Sequence, residues 1–194
     1  LGETQPVTAL NGTGNNLNND IQGNTVNNVL SGLDGNDFLY GKAGQDTLNG
    51  GANNDLLQGG SGSDSLNGGI GDDELHGEAG VDTLTGGAGK DRFDFNNPLD
   101  GIDTITDFVV IDDVIYVEKV GFVGGLVKGF LSADQFRIGA SAQDANDRFI
   151  YNQTTGALSF DSDGNGGAVQ TQFAKLSTNL AVTNQDIFVT SIGI

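Results

Sequence analysis

No cysteine occurs in this sequence, so disulfides and thiolate metal sites are both excluded. Proline is nearly absent, at 2 residues against 32 glycines, which is not the profile of a proline-rich linker. Frequent glycine with little proline points to many tight turns at fixed places. Basic residues are scarce: 8 Lys and Arg face 26 Asp and Glu, for a formal net charge of −18. Such a polyanion is expected to bind no nucleic acid, to avoid anionic membrane surfaces and to attract cations. Long apolar runs are missing too. The most apolar stretch, residues 120–131, is broken by Gly124, Gly125, Lys128 and Gly129, so no membrane insertion is expected. The first twenty residues hold no Lys, no Arg and no apolar core, and no N-terminal signal peptide is expected there. Neither an H-E-x-x-H helix nor a G-x-S-x-G elbow is present, so the chain itself is not expected to be an enzyme. It opens on Leu1 rather than Met, and is expected to be cut from a longer protein whose catalytic domain, if any, precedes Leu1.

What is present is a repeat, and a repeat decides the fold. Reading in nines from Gly14 gives nine units, ending at Asp94. Position one is Gly in all nine units. Position six is Asn19 and Asn28 in the first two, then Asp37, Asp46, Asp55, Asp64, Asp73, Asp82 and Asp91. Position eight is always apolar: Ile21, Leu30, Leu39, Leu48, Leu57, Leu66, Leu75, Leu84 and Phe93. Ordinary Asp-Gly turns would not keep such a period over seven repeats.

Each unit reads as a turn of about six residues followed by a strand of about three, its one apolar side chain flanked by outward residues. Glycines at positions one, two and four permit left-handed or crowded backbone. One unit cannot bury its apolar residue alone. Two units make a coil of eighteen residues, and stacked coils form two parallel sheets around a thin aliphatic core. Turns eighteen residues apart then lie above one another. One column carries Asp37, Asp55, Asp73 and Asp91, and the other Asp46, Asp64 and Asp82. Adjacent carboxylates would sit about 4.8 Å apart. Their repulsion is about 1 kcal/mol per pair in water and ~3.5 kcal/mol at an intermediate dielectric. The metal-free columns should not hold together, and a hard divalent cation accepting 6–8 oxygens would relieve them. A transition metal is not expected in these all-oxygen turns. His76 falls at an outward position of its repeat and is expected to be a solvated surface side chain.

The units 59–67 and 86–94 match the consensus G-G-x-G-x-D-x-U-x at every specified position. The chain therefore resembles the repeat-in-toxin (RTX) family of calcium-binding β-rolls. That resemblance implies an all-β fold: a right-handed parallel β-roll over residues 14–94, with degenerate repeats at 14–31, following a linker at 1–13. It implies about five Ca²⁺ ions between stacked turns, at Asp37/Asp55, Asp55/Asp73, Asp73/Asp91, Asp46/Asp64 and Asp64/Asp82. Carbonyl ligands would come from the glycine-rich turns: Gly32, Gly50, Gly59, Gly68, Gly77 and Gly86 at position one, and Gly35, Gly44, Gly62, Gly71, Gly80 and Gly89 at position four. The sequence departs from the consensus at Leu33, Lys42, Glu78 and Asn53. Lys42 and Glu78 are expected to do little harm. The Asn19 and Asn28 turns are expected to form a metal-free cap of stacked Asn side chains.

After residue 94 the period stops. Alternating segments at 101–108, 114–117, 148–151, 157–160, 169–176 and 187–194 predict further strands, with a hairpin across 152–156 and a capped helical turn at 132–136. An antiparallel β-region capping the roll is expected over 95–194. Four segments of this region, 103–108, 147–152, 160–166 and 186–189, resemble the C-terminal domain of serralysin-type secreted proteases and other type I secretion substrates. The resemblance implies a secreted, extracellular or surface-associated protein, exported unfolded through the type I secretion apparatus by an uncleaved C-terminal signal. Asp161, Asp163 and Asn165 look like the start of an EF-hand loop, but position twelve is Gln172 rather than Glu. A separate Ca²⁺ site and a simple hairpin turn both remain open there. Asp100, Asp103 and Asp107 are further candidates at the roll's end. The module is expected to fold on binding Ca²⁺ and to support an attached N-terminal domain; an adhesin or polysaccharide-binding module is the alternative.

Overall fold

A computed structural model of the protein describes residues 11–191. From Gly12 to Glu118 successive strands go alternately to two sheets, as the nine-residue period requires over the repeats. The first sheet has ten strands, in spatial order Gly12–Thr13, Val29–Asp34, Thr47–Ala52, Ser65–Ile70, Thr83–Ala88, Asp103–Ile105, Thr171–Lys175, Ala157–Phe160, Phe149–Asn152 and Phe136–Ile138. The second has eight, in the order Gly129–Phe130, Ile187–Thr190, Val114–Glu118, Arg92–Phe95, Glu74–Gly80, Leu56–Gly62, Phe38–Ala43 and Asp20–Gln22. The result is a parallel β-roll with almost no helix.

From Val29 to Ala88 the strands within the repeats run six or seven residues, not three. The residues at position two stack on their equivalents eighteen residues away, as Gly51 does on Leu33 and Gly69, and Gly60 on Lys42 and Glu78. The ladder therefore continues into the bend. Within the roll, Leu30, Leu48, Leu66 and Leu84 pair in one sheet. Ile21, Leu39, Leu57, Leu75 and Phe93 pair in the other. The seven leucines are fully buried. Each contributes about 1.5–3 kcal/mol by leaving water.

The parallel ladder outlasts the sequence period. Ile105 pairs with Leu84, Ile115 with Phe93, and Ile187 with Ile115. The hairpin forms where the sequence places it, and Ala157–Phe160 pairs antiparallel with both Phe149–Asn152 and Thr171–Lys175. Aromatic residues fill this end: the buried Phe122 ring lies 5.0 Å from that of Phe173, 5.2 Å from Phe160 and 5.9 Å from Phe149. The helical turn is a 3-10 turn, Ala133–Gln135. Ser132 does not cap its backbone; the hydroxyl donates to Gln135 Oε1 at 3.0 Å instead. Residues 1–10 of the expected linker and 192–194 of the last expected strand lie outside the described residues. Among the described residues, no helix is long and apolar enough to cross a membrane.

Candidate metal centre

Each position-six Asp side chain leaves its turn pointing inward, towards the backbone of the neighbouring coil. All seven repeat aspartates are buried. Asp37, Asp55, Asp73 and Asp91 stand in one column: the N–H of each donates to Oδ1 of the next, at 2.8, 2.8 and 3.0 Å. Asp46, Asp64 and Asp82 form the second column in the same way, at 2.7 and 2.8 Å. One oxygen of each carboxylate is thus spoken for by backbone. The other, Oδ2, is buried without any hydrogen-bond partner in all seven. A buried acceptor left alone costs about 1–3 kcal/mol, more if charged.

Position one explains where Oδ2 goes. A Cβ on Gly32, Gly50, Gly59, Gly68, Gly77 or Gly86 would collide with Oδ2 of the Asp five residues on. For Gly32 it would also lie 2.7 Å from the carbonyl oxygen of Gly50 in the next coil. Glycine is therefore needed here for space, and the space is lined by carboxylate and carbonyl oxygens. These are the hard donors Ca²⁺ prefers. Position four is different. Gly35, Gly44, Gly62, Gly71, Gly80 and Gly89 have φ between +114° and +158°. A side chain there would also run into backbone of the coil below. Asn53 is tolerated because its turn relaxes to φ +74°, the left-handed region Asn can enter.

The two degenerate repeats supply an internal contrast. Asn19 Oδ1 accepts the N–H of Asn15 at 2.8 Å, and Asn28 Oδ1 accepts that of Asn24 at 2.7 Å. The Asn side chains fold back on their own turns rather than stacking on each other. They satisfy themselves where the Asp turns do not.

Two further aspartates extend the columns beyond the period. Asp103 Oδ1 accepts from Asp82 N–H at 2.9 Å, and Asp113 Oδ1 from Asp91 N–H at 3.0 Å. Asp113 has no signal in the sequence, because the spacing has grown from 18 to 22 residues. Asp107 accepts the N–H groups of Gly86 and Gly87, at 3.0 and 2.9 Å, stitching the loop to a turn. Asp100 lines a small cavity with Glu78 and Asp103. The 161–166 loop is held by its own groups: Asp161 Oδ1 accepts from Asp163 N–H, Asp163 Oδ2 from Ala168 N–H, and Asn165 Nδ2 donates to the Gln143 carbonyl.

Burial, then like charge along the column, disfavours the carboxylates; the backbone N–H bonds oppose this in part. Asp55, Asp64, Asp73 and Asp103 are pushed up to about 6, and Asp82 and Asp91 to about 7. Without a counter-cation the columns resist full ionisation at neutral pH.

His76 is not the solvated side chain expected from its outward position. It is 3% exposed, with Nε2 2.8 Å from Glu74 Oε1 and 3.8 Å from Asp94 Oδ2. Parallel pairing sets His76 beside Asp94 and Glu74 beside Arg92, so the neighbouring coil fills the outer face around the imidazole.

The family described as RTX calcium-binding nonapeptide repeat matches in four copies, over residues 13–48, 40–75, 49–84 and 67–97. No curated protein matches the chain. Among solved structures, the extracellular lipase LipA from Serratia marcescens is 16% identical over 97% of this chain and 41% of its own, with a TM-score of 0.37. This chain thus spans less than half the lipase's length. The AlgE6R2 subunit of the Azotobacter vinelandii mannuronan C5-epimerase is 22% identical over 100% of this chain and 98% of its own, with a TM-score of 0.36. The AlgE6R3 subunit of the same epimerase is 26% identical over 95% and 82%, with a TM-score of 0.29.

Proposed function

We propose that this RTX calcium-binding repeat module uses its two aspartate columns to couple folding to Ca²⁺, and does so after export from the cell. The observation that carries the proposal is the set of seven buried, unpartnered Oδ2 atoms, one per Asp repeat, each beside a glycine whose side the carboxylate fills. Asp37/Asp55, Asp55/Asp73, Asp73/Asp91, Asp46/Asp64 and Asp64/Asp82 would hold the ions, with Asp103 and Asp113 available to prolong the columns. Bound Ca²⁺ would supply the positive charge that buried carboxylates need, and the turns would supply carbonyl oxygens. The role is structural rather than catalytic.

Because ligand binding to the native state alone is folding free energy, affinity sets where the chain folds. Extracellular calcium modules work at about 10⁻⁴–10⁻³ M. The low calcium inside a cell would leave the roll open for the type I apparatus, and the calcium outside would close it. The export reading rests on the resemblance of the C-terminal segments to type I substrates. An attached N-terminal domain would then gain a folded neighbour. The test is circular dichroism of the purified chain in chelator and after millimolar Ca²⁺. A gain of β-signal on adding Ca²⁺, reversed by chelator, is expected; identical spectra would overturn the proposal.

A further inference from the structure

We propose that Glu74, His76 and Asp94 form a second class of metal site, for a borderline divalent transition ion such as Zn²⁺, on the outer face of the eight-stranded sheet. It is separate from the oxygen-only columns inside the roll, and nothing in the repeat consensus requires it.

Glu74, His76 and Asp94 each offer one donor atom, and these three atoms lie within 4.8 Å of one another. Two of the separations are 2.8 and 3.8 Å. Ligands held at about 2.0–2.1 Å in a tetrahedral zinc site stand ~3.3 Å apart. These two separations bracket that value, and shifts of about half an ångström would bring both to it. Imidazole nitrogen with two carboxylates is a donor set suited to zinc-like ions, unlike the all-oxygen turns.

Arg92 settles which oxygens are free. Its NH1 donates to Glu74 Oε2 at 3.1 Å and its NH2 to Asp94 Oδ1 at 2.6 Å. The guanidinium is itself held over the Tyr116 ring, 4.1 Å from the centroid. Each carboxylate therefore spends one oxygen on Arg92 and turns the other towards His76. Outer partners that fix the free oxygen of a ligating carboxylate are the usual support of a metal site. Asp94 points the same way independently. Its side chain is only 6% exposed, yet Oδ2 has no hydrogen-bond partner and faces His76 Nε2. A buried carboxylate oxygen aimed at an imidazole nitrogen is stabilised by a cation between them or by a proton on the imidazole. Arg92 offsets one of the two negative charges. Glu78 and Asp100, which line the small cavity beside Asp94, add negative charge nearby.

The sequence contains a single histidine, so its imidazole resonances report on this site alone. Untagged protein in millimolar Ca²⁺, which occupies the columns, would be titrated with Zn²⁺ by calorimetry, with the His76 ring signals followed by NMR. One equivalent of Zn²⁺ is expected, with the ring signals shifting to a new set at saturation. H76Q and D94N should each weaken that event at least tenfold while keeping the calcium-dependent circular dichroism. Ring signals that respond to pH but not to Zn²⁺ would show an imidazolium held by two carboxylates and would overturn the proposal. So would Zn²⁺ binding that H76Q and D94N leave unchanged. The outcome is independent of the calcium reading, which the circular dichroism tests separately.

Discussion

At position six, Asn28 Oδ1 accepts the N–H of Asn24, whereas Asp46 in the same column leaves Oδ2 with no donor. One atom type thus separates a self-sufficient turn from one that calls for a cation. Position two shows a different residue-scale cost. Leu33, Lys42 and Glu78 stand where other repeats have glycine, at φ +85°, +82° and +66°. Lys42 and Glu78, expected to do little harm, carry their cost in this backbone conformation. Left-handed backbone disfavours non-glycine residues by about 1–2 kcal/mol. Lys42→Gly is therefore expected to stabilise the calcium-bound protein by about 1 kcal/mol, read as a higher midpoint in urea with an unchanged slope.

Along a column, aspartates behave as a coupled element. Free Asp titrates near 3.9, and burial raises Asp55, Asp64 and Asp73 to about 6 and Asp82 and Asp91 to about 7 in the metal-free fold. A carboxyl raised on folding favours the fold when protonated. Its contribution is fully present below about pH 4 and is lost as pH rises through 6–7. Metal-free protein should accordingly hold more β-structure at about pH 5 than at about pH 8, by circular dichroism in chelator. With Ca²⁺ the sign reverses, because the ion needs ionised carboxylates. Calcium affinity should fall as pH drops from about 7 to 5, measured by calorimetry. Matching dependence in the two states would refute the column account.

For the whole molecule, the issue is how an open-ended stack is finished. Coils that contact only their neighbours need a covered end. Asp103–Ile105, Val114–Glu118 and Ile187–Thr190 carry the parallel ladders on, and the aromatic cluster around Phe122 fills the end of the core. Phe122→Ala is expected to cost about 3–5 kcal/mol, the usual range for emptying a buried aromatic site. Urea unfolding of the calcium-bound form would show it, and a loss under about 1 kcal/mol would mean the cluster is not what holds the end.

Much of this was legible in the sequence. The nine-residue period fixed which Leu face inward and which Asp share a column, because a repeat that pairs with itself eighteen residues on leaves no freedom of register. The parallel roll, its two faces and its seven carboxylates follow from that alone; the hairpin at 152–156 is legible separately, in the alternating segments that flank it. What lay beyond it was decided by tertiary contact. Asp113 joins a column across 22 residues because the loop before it bulges while the strand pairing continues. His76 is buried although its pattern position points outward, since burial on an outer face depends on what the next coil places alongside, here Arg92 and Asp94. Periodicity dictates register, which is a backbone property; the fate of an outward side chain is set by its neighbours, and those only the folded stack brings together.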